Sequence, residues 1–137
     1  MIEGLSHITL ITRDLARMTA IIEQVLDGRE IYSSGEDTFS LSREKFFLVA
    51  GHWIAVMEGE SLPTRTYNHV AFKIAPDMVD EYRRRIDALG LELRETRPRV
   101  VGEGRSLYFY DDDNHLFELH TGTLEERLER YRRGKAA

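Results

Sequence analysis

The sequence predicts an α+β protein made of two copies of one unit, each a strand, a helix and then further strands. Three observations carry this expectation. The spacing of apolar residues passes from a period of two to a helical period and back, twice along the chain. Ser6-His7-Ile8 and Asn68-His69-Val70 each put a histidine in an opening strand, 62 positions apart. A polar stretch containing Pro63, from Glu58 to Thr66, lies between the halves as a linker. A repeat of this kind implies two similar sheets packed together, with equivalent positions meeting near a pseudo-twofold axis.

The elements follow in order. Leu5 to Thr12 reads as a strand, with Ile8 and Leu10 on one face and His7, Thr9 and Ile11 on the other, inward one. Asp14 is suited to cap a helix whose stripe is Leu15, Met18, Ile22, Val25 and Leu26, and Asp27-Gly28 ends it. Strands are expected at Glu30 to Ser33, Thr38 to Leu41, Phe46 to Ala50 and Trp53 to Met57, with Arg43-Glu44-Lys45 and Gly51-His52 as turns. The second half opens with a strand from Tyr67 to Ile74. Pro76-Asp77 starts a helix with Val79, Tyr82, Ile86 and Leu89 as its stripe, and Gly90 closes it. Strands follow at Leu91 to Arg94, Leu107 to Tyr110 and His115 to His120. Thr123 and Glu126 have capping-box spacing for a last helix, through Leu124, Leu128 and Tyr131, that frays in the basic tail.

Composition narrows the function. The chain has 137 residues, 42% hydrophobic and 31% charged, which suits one globular domain with a real core. A net charge of −5 gives no basic surface for nucleic acid. No apolar run approaches the roughly 20 residues that span a bilayer. The early strand leaves no place for a signal peptide, so a cytoplasmic protein is expected. There is no cysteine, so any metal must be held by histidine, carboxylate or carbonyl groups.

His7 and His69 occupy matching places in the two halves, and Glu118 lies on the last strand. Two imidazoles and a carboxylate make a facial set for divalent Mn, Fe or Zn that leaves positions open for substrate. His120 shares the face of Glu118 and competes with it, or supports it from behind. His115 faces away. Asp111-Asp112-Asp113-Asn114 lacks the glycine and distal glutamate of a calcium loop and reads as a solvated turn.

The motifs Gly4-Leu5-Ser6-His7-Ile8-Thr9-Leu10, Arg65-Thr66-Tyr67-Asn68-His69 and Gly102-Glu103-Gly104-Arg105-Ser106 are distinctive together. So are Tyr108-Phe109-Tyr110-Asp111 and Asn114-His115-Leu116-Phe117-Glu118-Leu119-His120. With them the chain resembles the vicinal oxygen chelate superfamily, with its paired βαβββ modules. Within that superfamily it resembles the fosfomycin resistance proteins, in the branch that adds water rather than a thiol to the epoxide. The resemblance covers nearly the whole chain. It implies a single domain over 1–137, with modules at about 1–60 and 66–122 and a C-terminal helix at about 123–133.

The resemblance also implies an activity. It is a Mn2+-dependent hydrolysis of the oxirane of fosfomycin, with other divalent ions admitted by the same ligands. It implies a homodimer whose modules swap, so that His7 of one chain joins His69 and Glu118 of the other. It makes Glu44 the general base that activates water, where the residues alone read as a charged hairpin tip. It assigns the phosphonate to Arg127, Ser106 and Tyr108, and the pocket to Tyr67, Thr9 and the aromatic wall Trp53. Arg97-Pro98-Arg99 stands where the thiol-transferring branch has a potassium loop with lysine. A potassium requirement is therefore not expected, and Arg97 or Arg99, of which Arg99 is preferred, becomes a further candidate to hold the phosphonate. Gly102-Glu103-Gly104 reads as a flap over the substrate. Two other functions fit the same scaffold: thiol transfer to fosfomycin, and sequestration of a ligand without chemistry.

Overall fold

The computed structural model describes residues 1–37, 41–96 and 104–136. Most of the expected strand at Thr38 to Leu41, the ligand Arg99 with Arg97, and the Gly102-Glu103 part of the flap lie outside these residues.

The chain divides into two compact units. The first holds residues 1–65 together with Asp111–Asn114, the second Thr66–Tyr110 and His115–Ala137. In the first unit β1 (His7–Thr12), β2 (Arg29–Ser33), β3 (Glu44–Val49) and β4 (His52–Glu58) form a sheet ordered β1-β4-β3-β2, and α1 (Leu15–Gln24) follows β1. In the second, β5 (His69–Lys73), β6 (Glu92–Thr96), β7 (Ser106–Tyr110) and β8 (Leu116–His120) are ordered β5-β8-β7-β6. There α2 (Val79–Ala88) follows β5 after a short 3-10 turn at Pro76–Met78, and α3 (Leu124–Ala136) closes the chain. The opening strand of each unit runs parallel to the last, and the other pairs are antiparallel. This is the expected α+β fold of two βαβββ modules.

Local chemistry sets the element ends. The Asp14 carboxylate accepts the Arg17 backbone N–H at 3.0 Å and starts α1. Gly28 ends it in a place only glycine fills, because a Cβ there would stand 2.3 Å from Ile22 Cγ2 and 3.0 Å from the Ile22 carbonyl. The β3–β4 hairpin closes over Ala50 and Gly51, both at positive φ (49° and 80°), the backbone that matches strand twist in a two-residue turn. On α3 the Thr123 hydroxyl accepts the Glu126 N–H at 3.1 Å and donates to its carboxylate at 3.2 Å, so the expected N-cap forms, with the Glu126 carboxylate on the Thr123 hydroxyl rather than on its backbone N–H. That helix does not fray at Arg133 but continues to Ala136.

In each unit the helix covers one face of the sheet. Leu10, Phe47, Val49, Ile54 and Val56 are buried with Met18, Ile21, Ile22 and Val25 of α1. Leu107, Phe109, Phe117 and Leu119 are buried with Val79 and Ile86 of α2. Burial of this kind, at roughly 25 cal/mol per Å² of apolar surface, is what holds each sheet to its helix. The opposite faces carry the polar candidates. His7, Thr9 and Ile11 are exposed on β1, so the expected partition of that strand is right but the face of His7 is the open one, not the inward one.

Two turn assignments change. Glu44 is the first residue of β3, paired with Met57, rather than a hairpin tip. Asp111-Asp112-Asp113-Asn114 is not a solvated turn: Asp111 is 3% exposed and Asp113 4%. Asp113 accepts from the Thr12 hydroxyl (2.5 Å), the Arg13 N–H (2.9 Å) and the Ser61 hydroxyl (2.5 Å). Its own N–H donates to Asp111 at 2.9 Å. Donors at distant sequence positions remove the need for water, which the local sequence does not reveal.

Candidate active site

Strand register shows how the two open faces correspond. His7 pairs with Trp53, and two residues on, Thr9 pairs with Ala55, which also faces Phe46. In the second unit His69 pairs with Leu116, and two residues on, Ala71 pairs with Glu118, which also faces Tyr108. Ala55 therefore holds in the first unit the place that Glu118 holds in the second. Each unit offers one histidine, and only the second offers the carboxylate. One step further along, Glu44 pairs with Met57 and Ser106 pairs with His120, so Glu44 and Ser106 are register equivalents.

The second unit builds a close polar cluster around Glu118. The His69 Nδ1–H donates to the Tyr67 carbonyl at 2.7 Å, and since a carbonyl only accepts, the Nε2 lone pair is left free. That Nε2 lies 3.0 Å from Oε1 of Glu118, itself 7% exposed. Two acceptors at this separation require a proton or a cation between them. A fixed tautomer backed by a carbonyl is the usual support of a metal-bound imidazole. One imidazole nitrogen and one carboxylate oxygen suit a divalent ion such as Mn2+.

Behind Glu118 stands a second line. The Ser106 hydroxyl donates to Glu118 Oε2 at 2.6 Å and lies 2.7 Å from His120 Nδ1. With its proton given to Glu118, Ser106 receives the proton of His120. In this arrangement His120 reaches Glu118 through Ser106, and its Nδ1 also lies 3.4 Å from Glu118 Oε2, which fits the supporting place the sequence offered it. Nothing local in the sequence announces this chain, although the alternation of β8 already put His120 on the face of Glu118.

Aromatic groups frame the cluster. Tyr67 and Tyr108 join through their hydroxyls at 3.1 Å, and their rings lie 4.8 and 5.5 Å from the His69 ring. Burial pushes the Tyr108 phenol well above its ordinary pKa, and the hydrogen bond with Tyr67 and the charge of Glu118 add to this. Tyr108 is thus a protonated donor at neutral pH. Arg127 is exposed on α3, and its guanidinium makes no hydrogen bond or ion pair with another described residue.

In the first unit the His7 ring lies on Trp53, centroids 4.1 Å apart, and Phe46 meets Trp53 edge-on at 5.1 Å. The Trp53 Nε1–H is buried with no hydrogen-bond partner among the described residues. Thr9 is exposed beside it on β1. Glu44 is half-buried and lines a cleft with Arg13, Leu15, Ser33, Gly35 and Arg43. Its carboxylate makes no hydrogen bond or ion pair with another described residue. Arg43 beside it pairs with Glu58 and with Glu36, and Lys45 with Glu30 at 2.8 Å. The Glu58 carboxylate raises the Arg43 pKa. The flanking cations Arg43 and Lys45 are thus paired with other acids, and Glu44 lines the cleft with no ion-pair partner among the described residues.

Fold and donor set define a metal-site protein of paired modules, and the chain belongs to the Glyoxalase/Bleomycin resistance protein/Dioxygenase superfamily, whose model matches residues 4–119. More narrowly, it is 66% identical over 131 residues to the fosfomycin resistance protein FosX of Listeria innocua, covering 96% of this chain and 98% of that one. It is 62% identical over 137 residues to FosX of Mesorhizobium japonicum, covering 100% and 99%. Its fold matches a crystal structure of a variant of FosX from Listeria monocytogenes, complexed with Mn(II) and 1S,2S-dihydroxypropylphosphonic acid. The TM-score is 0.87 and the identity 62%, over 96% of this chain and 99% of that one.

Proposed function

We propose that this chain is a Mn2+-dependent epoxide hydrolase that adds water to the oxirane of fosfomycin and so confers resistance to it. The observation that carries this reading is the His69–Glu118 pair, with its fixed tautomer, in a chain 62% identical to a protein solved with Mn(II) and a diol phosphonate. His69 and Glu118 hold the ion together with His7, and His7 comes from the partner subunit of a homodimer. When bound, the ion supplies Lewis acidity that stabilises negative charge on the oxirane oxygen.

The chain's own groups do the rest. Glu44 takes a proton from water as the water oxygen attacks an oxirane carbon and the C–O bond breaks; the alkoxide so formed takes a proton from solvent, and Glu44 returns its own to solvent, to leave the diol. A positioned base of this kind contributes roughly 10²–10⁴-fold. Its unpaired carboxylate supports the role, since a base held in an ion pair is a weaker proton acceptor. The phosphonate dianion is bound by Arg127, Arg99 and Tyr108, where an arginine fork and a neutral hydroxyl donor suit its oxygens, and Ser106 joins them when its single proton turns from Glu118 to the phosphonate. Tyr67 holds the Tyr108 hydroxyl. Thr9 and Trp53 wall the substrate, and the unpartnered indole N–H gives the wall a donor. We propose further that the two modules, about 1–60 and 66–122, act with the last helix as one vicinal oxygen chelate domain, and that the enzyme works in the cytoplasm. Among the described residues no helix is long and apolar enough to cross a membrane. Cell fractionation tests the location.

The deciding measurement is a phosphorus NMR time course of fosfomycin with the Mn2+-loaded protein, with and without added thiol. The expected result is the diol at equal rates in both. Turnover that begins only with thiol would assign the chain to the thiol transferases, and binding without turnover would make it a sequestering protein.

A further inference from the structure

Glu44 is held by its backbone, and one residue does the holding. Ser34, just past the end of β2, is 7% exposed. Its N–H donates to the Glu44 carbonyl at 3.0 Å, and its hydroxyl oxygen accepts the Glu44 N–H at 3.0 Å. The last backbone pair of the β2–β3 ladder is Ser33 with Lys45. Beyond that pair the hydroxyl takes over the acceptor's part, so a side chain carries the ladder one residue further. A turn fixes Ser34 in its own place: Asp37 N–H donates to the Ser34 carbonyl at 3.0 Å.

This matters because nothing grips the other end of Glu44. Its carboxylate has no hydrogen-bond or ion-pair partner among the described residues, and Arg43 and Lys45 are paired elsewhere. A side chain with three rotatable bonds and no partner is located only as well as its Cα and Cβ are located. We propose that Ser34 is a positioning residue for the hydration, fixing where the Glu44 carboxylate stands in its cleft by clamping both backbone groups of that residue. The inference rests on the reading of Glu44 as the base. Catalytic geometry tolerates little error: a displacement of about 1 Å can cost about 10²-fold in rate.

The test uses the Mn2+-loaded, full-length protein. Ser34→Ala keeps the N–H bond to the Glu44 carbonyl and removes the acceptor for the Glu44 N–H. It is expected to lower kcat for diol formation about tenfold, with KM for fosfomycin and Mn2+ affinity within about twofold of the parent. Ser34→Thr keeps the hydroxyl and should recover most of the rate. In a Glu44→Gln background, Ser34→Ala should cost nothing further, because there is no base left to misplace. A role in stability alone would predict equal losses in both backgrounds. Unchanged kcat in Ser34→Ala, or an equal loss with and without Glu44, overturns the proposal. If Ser34→Ala does not fold, Ser34→Cys, with a poor sulfur acceptor at nearly the same size, takes its place with the same expectations. Full hydration by Glu44→Gln alone would instead remove the role of Glu44, so the two failures are told apart.

Discussion

The carboxylate of Glu118 depends on a hydroxyl for its orientation, and that dependence is testable. Ser106 donates to it at 2.6 Å and is backed by His120 at 2.7 Å. Groups that orient a metal ligand typically contribute 10–100-fold to affinity. Ser106→Ala should therefore weaken Mn2+ binding about 10–100-fold by calorimetry, and an unchanged dissociation constant would remove Ser106 from this role. Tyr108 supports a prediction in pH. Its phenol is raised in the folded protein, first by burial, then by Tyr67 and Glu118. Above the ordinary phenol pKa, near 10, the unfolded chain loses that proton while the folded one keeps it, so folding stability must fall as pH rises there. Denaturant unfolding between about pH 9 and 11 should show this decline, and Tyr108→Phe should make it shallower. Neither point is visible in the sequence, where Ser106 precedes the expected strand Leu107 to Tyr110 and the resemblance gives both residues to the phosphonate. Register with Glu118 and His120 gives them their partners.

At the scale of elements, the turn between β7 and β8 differs most from its sequence. Asp113 gathers three donors, two of them hydroxyls, and Thr12 beneath it is buried. Asp113→Ala would take the acceptor from the Arg13 N–H and the Ser61 hydroxyl and leave the buried Thr12 hydroxyl only its bond to the Asp14 carbonyl at 3.2 Å. With one buried donor weakened and two part-buried ones stranded, the variant should lose roughly 1–3 kcal/mol by urea denaturation. A loss below about 0.5 kcal/mol would mean that the turn is solvated after all. The contrast with other elements has a physical cause. The starts of α1 and α3 were legible because an N-cap is chosen within three or four residues, as with Asp14 and Arg17 or Thr123 and Glu126. The alternation of β1, β5 and β8 was legible because a strand repeats every two residues. Asp113 finds its acceptor role in Thr12, 101 positions away, and no local pattern encodes that.

At the scale of the whole molecule, duplication bears on the proposal that one ligand set is divided between two chains. The two histidines were legible as a pair because the units repeat. Glu118 was legible as a candidate only beside His120, and Glu44 gained its role from resemblance alone, because a charged residue between apolar runs is ordinarily surface. The register adds that Ala55 stands in the first unit where Glu118 stands in the second, so the acid nearest in register to His7 is absent there, and Glu44 lies one pair further along. In the proposed site that acid comes from another unit. The proposed source is a second chain, and mixed dimers decide the matter. His7→Ala and Glu118→Ala should each be inactive alone. In their heterodimer one site loses both ligands, while the other joins the intact His7 of the Glu118→Ala chain to the intact His69 and Glu118 of the His7→Ala chain. Random pairing makes half of the dimers mixed, so co-refolding equal amounts should restore about a quarter of the parent diol-forming activity. If all three ligands came from one chain, no pairing would rebuild a site and the mixture would stay as inactive as its parts.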